Sequence, residues 1–295
     1  MTGRIASVEV VLDAGADLGE GPSWDPETRR LIWVDIAAGV VHRFDPASAT
    51  DEPFEIGQPV GAAVPTTDGR LALAVSDGFS ILDPRSGRIE RIADVESDVP
   101  DTMMNDGKCD PAGRFWAGTK DTKGSRPIGS LYRLDSGRRP ATVLTGVTVS
   151  NGLGWTSDRT TMYYIDSPTH RIEHFDFDLE SGDVANRRTL VELPRDWGLP
   201  DGMTVDEDGF LWVAFWSGSA VRRFAPDGRI VSTVRFPVSQ VTSCAFGGDD
   251  LSDLYVTTAR DTLTSSQLWD QPHAGGLFRL HPGVSGFPEH PFVIG

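Results

Sequence analysis

The stretch CDPAGRFWAGT (109–119) opens on a turn signal and runs straight into a short apolar and aromatic segment. The same phrase recurs as WDPETRRLIWVDI (24–36), TTDGRLALAV (66–75), WTSDRTTMYYIDS (155–167), VDEDGFLWVAFW (205–216) and FGGDDLSDLYVTTA (246–259). A second phrase follows each copy: VVHRFDP (40–46), FSILDP (79–84), LYRLDSG (131–137), IEHFDFD (172–178), VRRFAPDG (221–228) and GLFRLHPG (276–283). Both phrases read as strands, with alternating or continuous apolar residues, β-branched and aromatic enrichment, and DP, DG, SG or GG at the ends. The simplest unit is four antiparallel strands: one before the first phrase, the two phrases, and one after. Six such units, spaced by 41 to 50 residues, fill the 295-residue chain. Small sheets stacked radially bury both faces against their neighbours and leave few open edges. The expected fold is therefore all-β: a six-bladed β-propeller as a single domain over residues 1–295, with tandem β-sandwiches as the weaker alternative. The segment IASVEVVLDA (5–14) has no partner in the first unit, and the last unit has only a weak fourth strand in HPFVIG (290–295). The N-terminal strand is predicted to complete the last blade and close the ring.

Composition agrees with many short elements. Gly (32) and Pro (20) together make about 18% of the residues, against roughly 12% in ordinary chains. With 27 basic and 43 acidic residues, the net charge of −16 argues against nucleic-acid or anionic-membrane partners, which want clustered Lys and Arg. Cys109 and Cys244 are far apart and form no CxxC pair, so no disulfide framework or thiolate zinc site is written here. No basic-then-apolar leader opens the chain and no apolar run reaches the roughly 18 residues of a membrane span. A soluble cytoplasmic protein, monomeric or dimeric, is the expectation.

One position in the repeat carries chemistry. Four residues before the Trp, or its equivalent, stand Glu20, Gly61, Asn105, Asn151, Asp201 and Thr242. Four of the six hold an acid or an amide. In a propeller, equivalent positions lie on a ring about one axis, so these side chains are expected to converge in the central channel. Two carboxylates and two amide oxygens suit a hard divalent cation. Without one, a pair of buried carboxylates repels and one member takes up a proton. Asn-Gly, Asp-Gly and Glu-Gly are also ordinary turn dipeptides, but here each leads into a strand at the same repeat position. Trp24, Trp33, Trp116, Trp155 and Trp212 fall at repeat positions and read as inter-blade core. His170 and His174 are four apart in a strand phrase, where that spacing makes no helical zinc face. No GxSxG, Walker sequence or GxGxxG occurs, so a serine nucleophile and a phosphate-cradling loop are unsupported.

LGEGPSWDPETRRLIWVDI, NDGKCDPAGRFWAGT, VSNGLGW, YYIDS, LPDGMTVDEDGFLWVAFWSG and TSCAFGG…LYVTTAR…QPHAGGLFRL resemble the SMP-30/gluconolactonase family, which includes regucalcin and sugar lactonases. The resemblance spans residues 18–280. It implies a six-bladed propeller with one divalent metal, metal ligands at Glu20, Asn151 and Asp201, a substrate-contacting Asn105, and Asp201 as the general base. Family sugar lactonases carry Arg two residues before the NDG Asn; here DTMMNDG puts Met103 in that place. The loop KDTKGSRPIG (120–129) is basic through Lys120, Lys123 and Arg126 where an acid is usual. Asn105, Met103 and Lys120 are thus the expected substrate contacts.

The function these residues point to is metal-dependent opening of a lactone, a sugar lactone such as an aldonolactone in the first place. Metal-dependent hydrolysis of a phosphotriester and non-catalytic calcium binding are the alternatives. Ca2+ is preferred on ligand hardness; Mg2+, Mn2+ and Zn2+ also occur in such cages. Segments 96–104, 120–129 and 194–200, which lack strand patterning, are the expected source of any lid.

Overall fold

A computed structural model of the chain describes residues 7–295. Its strands form six four-stranded antiparallel sheets, arranged as a six-bladed β-propeller. Five blades are built from consecutive strands, whose innermost members are Gly19–Asp25, Val60–Pro65, Thr102–Cys109, Ser150–Trp155 and Leu199–Val205. The sixth combines Val241–Gly247, Asp253–Thr258 and Leu277–Leu280 with Glu9–Leu12 from the N-terminus. Glu9 pairs with Arg279 and Val10 with Phe278, so the first described strand closes the last blade as the sequence predicts. Residues 5 and 6 of the predicted segment lie outside the described residues. The weak strand phrase at 290–295 serves elsewhere: Phe292 bridges in parallel to Thr66 of the second blade and buries its ring there.

Burial falls off along each blade. In the second blade, Val60–Pro65 and Leu71–Val75 are buried throughout, whereas Arg88–Asp94 is mostly exposed. Continuous apolar runs therefore mark the inner strands, which are covered on both faces, and mixed polar segments mark the rims. Trp24, Trp33, Trp116, Trp155 and Trp212 are all buried, as the repeat pattern predicts. The turn acid fixes two of them: Asp110 accepts from Trp116 Nε1 and Asp206 from Trp212 Nε1, each at 2.8 Å. The one α-helix among the described residues, Ser265–Asp270, is short and begins on a Thr264 capping box. No helix among the described residues is long and apolar enough to cross a membrane.

Every innermost strand carries a register shift at the repeat position singled out above: between Glu20 and Ser23, Val60 and Ala62, Met104 and Gly107, Asn151 and Leu153, Pro200 and Met203, and Val241 and Ser243. Such a bulge breaks strand alternation and re-aims a side chain. The glycines beside it serve close packing around the axis. A Cβ on Gly61 would lie 2.2 Å from the Asn105 carbonyl oxygen, and one on Gly202 would lie 2.0 Å from Ser243 Oγ. The repeated acid-Gly or amide-Gly dipeptide is thus neither a hairpin turn nor a coincidence.

Candidate active site in the central channel

Glu20, Asn105, Asn151 and Asp201 are buried and line one cavity of about 290 Å³ at the channel end where the innermost strands begin. Lys120, Lys123, Ser167, Trp216 and Asp261 share its wall. Four of the six ring positions thus meet in a single space. Of the three expected substrate contacts, Asn105 and Lys120 line it. Met103 does not: its side chain packs against the apolar cluster of Ile32, Val34, Val60 and Val75. The irregular register between Met104 and Gly107 breaks the alternation that would have kept Met103 beside Asn105.

The amides are held in place by the protein. Asn105 Nδ2 donates to the Ser150 carbonyl at 2.8 Å and to Asn151 Oδ1 at 3.1 Å. Asn151 Nδ2 donates to Ser167 Oγ at 2.8 Å. With both its N–H groups committed, Asn105 has only its carbonyl oxygen left to offer a ligand, while Asn151 has its amide turned by Ser167 and its carbonyl oxygen shared with Asn105.

The carboxylates are in electrostatic conflict. Burial, and then the charge of Asp106, push Glu20 up to about 8; the Gly21 N–H and Lys120 oppose this. Burial, Glu20 and Asp106 push Asp201 well above the usual carboxylate range. Asp201 Oδ1 is buried and accepts no hydrogen bond. Asp106, which the sequence reading passed over, is itself pushed up to about 6 by burial. Lys120 is pulled down, by burial, against the charges of Glu20, Asp201 and Asp261.

This donor set fits a hard divalent cation. An orphaned buried carboxylate oxygen, two acids that cannot both ionise unaided, and two oriented amide oxygens all lose their penalty beside such an ion. Among the described residues no three His, Cys, Asp or Glu side chains gather as a metal cluster. The cage here has two acids, and its remaining protein oxygens are amides. His170 and His174 stand apart from it: His174 Nε2 accepts from Arg188 on the outer strands.

The other end of the channel is crossed by the C-terminal segment. Glu289 accepts from Ser23 Oγ and sits 3.5 Å from Lys108 Nζ, while Lys108 also donates to the Met203 carbonyl. Ser285, Gly286, Phe292 and Val293 bond the fifth, sixth, second and third blades. The expected lid segments are partly strand: Thr102–Met104, Lys120–Asp121, Gly129 and Leu199–Pro200 are all paired, which leaves 96–101, 122–128 and 194–198 outside strands, and of these Lys123 and Gly124 line the cavity.

Comparison with known proteins agrees with this architecture. Residues 18–260 match the model of the SMP-30/Gluconolactonase/LRE-like region. YvrE of Bacillus subtilis (strain 168), whose name as a sugar lactone lactonase is provisional, is 40% identical over 95% of this chain and 97% of its own. Regucalcin of Gallus gallus is 38% identical over 94% of this chain and 95% of its own. A crystal structure from Agrobacterium tumefaciens, described as a calcium-binding protein, regucalcin, superposes with a TM-score of 0.94 at 28% identity, covering 98% of both chains. The chain belongs to the SMP-30/gluconolactonase family.

Proposed function

We propose that the protein is a metal-dependent hydrolase that opens a lactone, a sugar lactone in the first instance. The observation that carries the reading is the pair Glu20 and Asp201, buried together with an unpartnered Asp201 Oδ1 in a cavity that also presents Asn105 and Asn151. Family membership and the names borne by YvrE and regucalcin support it. The name of the Agrobacterium structure supports Ca2+ as the first ion to try.

Glu20, Asn151 and Asp201 would hold the ion. Bound there, a divalent cation supplies Lewis-acid polarisation of the lactone carbonyl and stabilises the charge that develops on its oxygen. Asp201 has two oxygens, so one remains to accept a proton as water adds to the carbonyl carbon. The new C–O bond forms as that proton moves to Asp201. The ring C–O bond then breaks, and the same proton passes to the departing ring oxygen. The product is a hydroxy acid, which releases a proton to solvent at neutral pH. Asn105, whose amide N–H groups are spent on Ser150 and Asn151, offers its carbonyl oxygen to the attacking water or to a substrate hydroxyl.

A pH-indicator assay over aldonolactones, simple γ- and δ-lactones and a phosphotriester, with and without chelator, tests the reading. Acid release from lactones that stops with chelator and returns with Ca2+ or another divalent ion is expected. Turnover unaffected by chelator, or confined to the phosphotriester, counts against it.

A further inference from the structure

The charges at the cavity mouth are not balanced as the sequence alone implies. Arg126, the third cation of the basic loop, is spent: it pairs with Asp101 and with Asp121, each at 2.8 Å. Lys108 belongs to the opposite end of the channel, with Glu289. Lys120 and Lys123 remain. Both line the cavity, and among the described residues neither side chain forms an ion pair within 4 Å or a hydrogen bond. Lys120 is rooted in the strand Phe115–Asp121, opposite Met103 and bridged to Val149, so its backbone is fixed while its ammonium is free. Lys123 is exposed at the rim.

One divalent ion would neutralise the Glu20 and Asp201 carboxylates. Asp106 and Asp261 are then the acids left nearby, and neither pairs with Lys120 or Lys123 within 4 Å, so among the described residues both ammonium groups stay free to meet an anionic group. Met103, in the strand position beside Lys120, contributes no hydrogen-bond donor. A neutral polyhydroxylated ring would gain little from an unpaired ammonium, whereas an anionic group would gain a charge-assisted bond that the protein does not satisfy.

Building on the lactonase reading above, we infer that Lys120, with Lys123 at the rim, selects lactones carrying a second, anionic group, a carboxylate or a phosphate, over neutral ones. Lys120 contacts the substrate at a distance from the ester and takes no part in the proton transfers.

The test compares kcat/KM for glucono-δ-lactone, its 6-phosphate and its 6-carboxylate counterpart in the wild type, Lys120→Gln, Lys120→Arg and Lys123→Ala, at low and high salt. The wild type is expected to favour at least one anionic lactone by about tenfold or more, as a charge-assisted hydrogen bond allows. The faster of the two anionic arms identifies the group. Lys120→Gln should erase most of that preference and Lys120→Arg should keep it; salt should shrink it. Equal turnover of all three lactones by the wild type, or an equal loss on all three in Lys120→Gln, overturns the inference and leaves the lactonase reading standing. If no lactone turns over, that reading falls. Titration of the calcium-loaded protein with gluconate and glucarate then decides the inference separately. Tighter glucarate binding that is lost in Lys120→Gln supports it, and equal binding refutes it.

Discussion

Replacing Glu20 by Gln should stabilise the metal-free protein while spoiling its cage. Glu20 is held at about 8 instead of 4.5, so the folded chain keeps a proton that the unfolded chain gives up. Stability therefore falls as pH rises from about 4.5 towards 8, then levels off once both states ionise. At about 1.4 kcal/mol per pH unit this amounts to about 5 kcal/mol above pH 8. Gln carries no charge to desolvate, but its buried amide wants partners, and leaving one unmet costs about 1–3 kcal/mol. The net effect of Glu20→Gln is then a gain of about 2–4 kcal/mol at pH 8.5 and a loss of about 0–2 kcal/mol at pH 5, where the acid's own penalty has shrunk to about 1 kcal/mol. Urea unfolding of chelator-treated protein at the two pH values measures it. Adding Ca2+ should reverse the order at pH 8.5, because the wild type gains binding energy that the variant cannot. A variant no more stable than the wild type at pH 8.5, or a difference that does not change with pH, would refute the reasoning.

Two further outcomes follow from the contacts around the cage. Ser167→Ala removes the acceptor of the Asn151 amide, so Ca2+ affinity measured by calorimetry should fall about tenfold with little loss of stability. Unchanged affinity would remove Asn151 from the ligand set. Gly61→Ala puts a methyl 2.2 Å from the Asn105 carbonyl oxygen, so the innermost strands must part. A stability loss of about 1–3 kcal/mol is expected, together with a turnover deficit as Asn105 shifts. A variant that melts and turns over like the wild type would refute the close approach of the second blade to Asn105.

The propeller is legible because its blades reuse one grammar. In two blades the turn acid that precedes the Trp is also the acceptor that pins the indole, Asp110 for Trp116 and Asp206 for Trp212, so there the repeat seen in the letters is the repeat that packs. The cage is legible because a ring places equivalent positions together. What escaped was everything set by the bulges and by long-range closure. Asp106 follows Asn105 directly, and only the irregular register there brings its charge to bear on Glu20 and Asp201. Met103 was expected at the substrate because it takes the place of the family's Arg, yet its side chain packs against the apolar cluster of the first two blades. Ser167 and Glu289 reach the channel from a turn and from the C-terminal segment, and no local pattern announces either contact.

The two ring positions without an acid or an amide explain why the bulge occurs in every blade. Thr242 uses its hydroxyl to donate to the Gly19 carbonyl at 2.6 Å, across the seam between the sixth and first blades, and it also bonds Thr257. Gly61 lets the second blade slide its backbone against Asn105. Closing six small sheets on a narrow axis requires strands that bend inward and approach within contact of each other, and a bulge with a small residue does both. That requirement is architectural and falls on all six blades equally. It leaves one re-aimed side chain per blade directed at the axis. Chemistry then needs only a change of residue type at four of those positions, with no new loop and no local strain. The price is electrostatic: two buried acids are brought together, and the protein offers them the Lys120 ammonium and no ion pair. An ion that binds oxygen would relieve that conflict, and the same four positions that the architecture re-aims are the ones that would hold it.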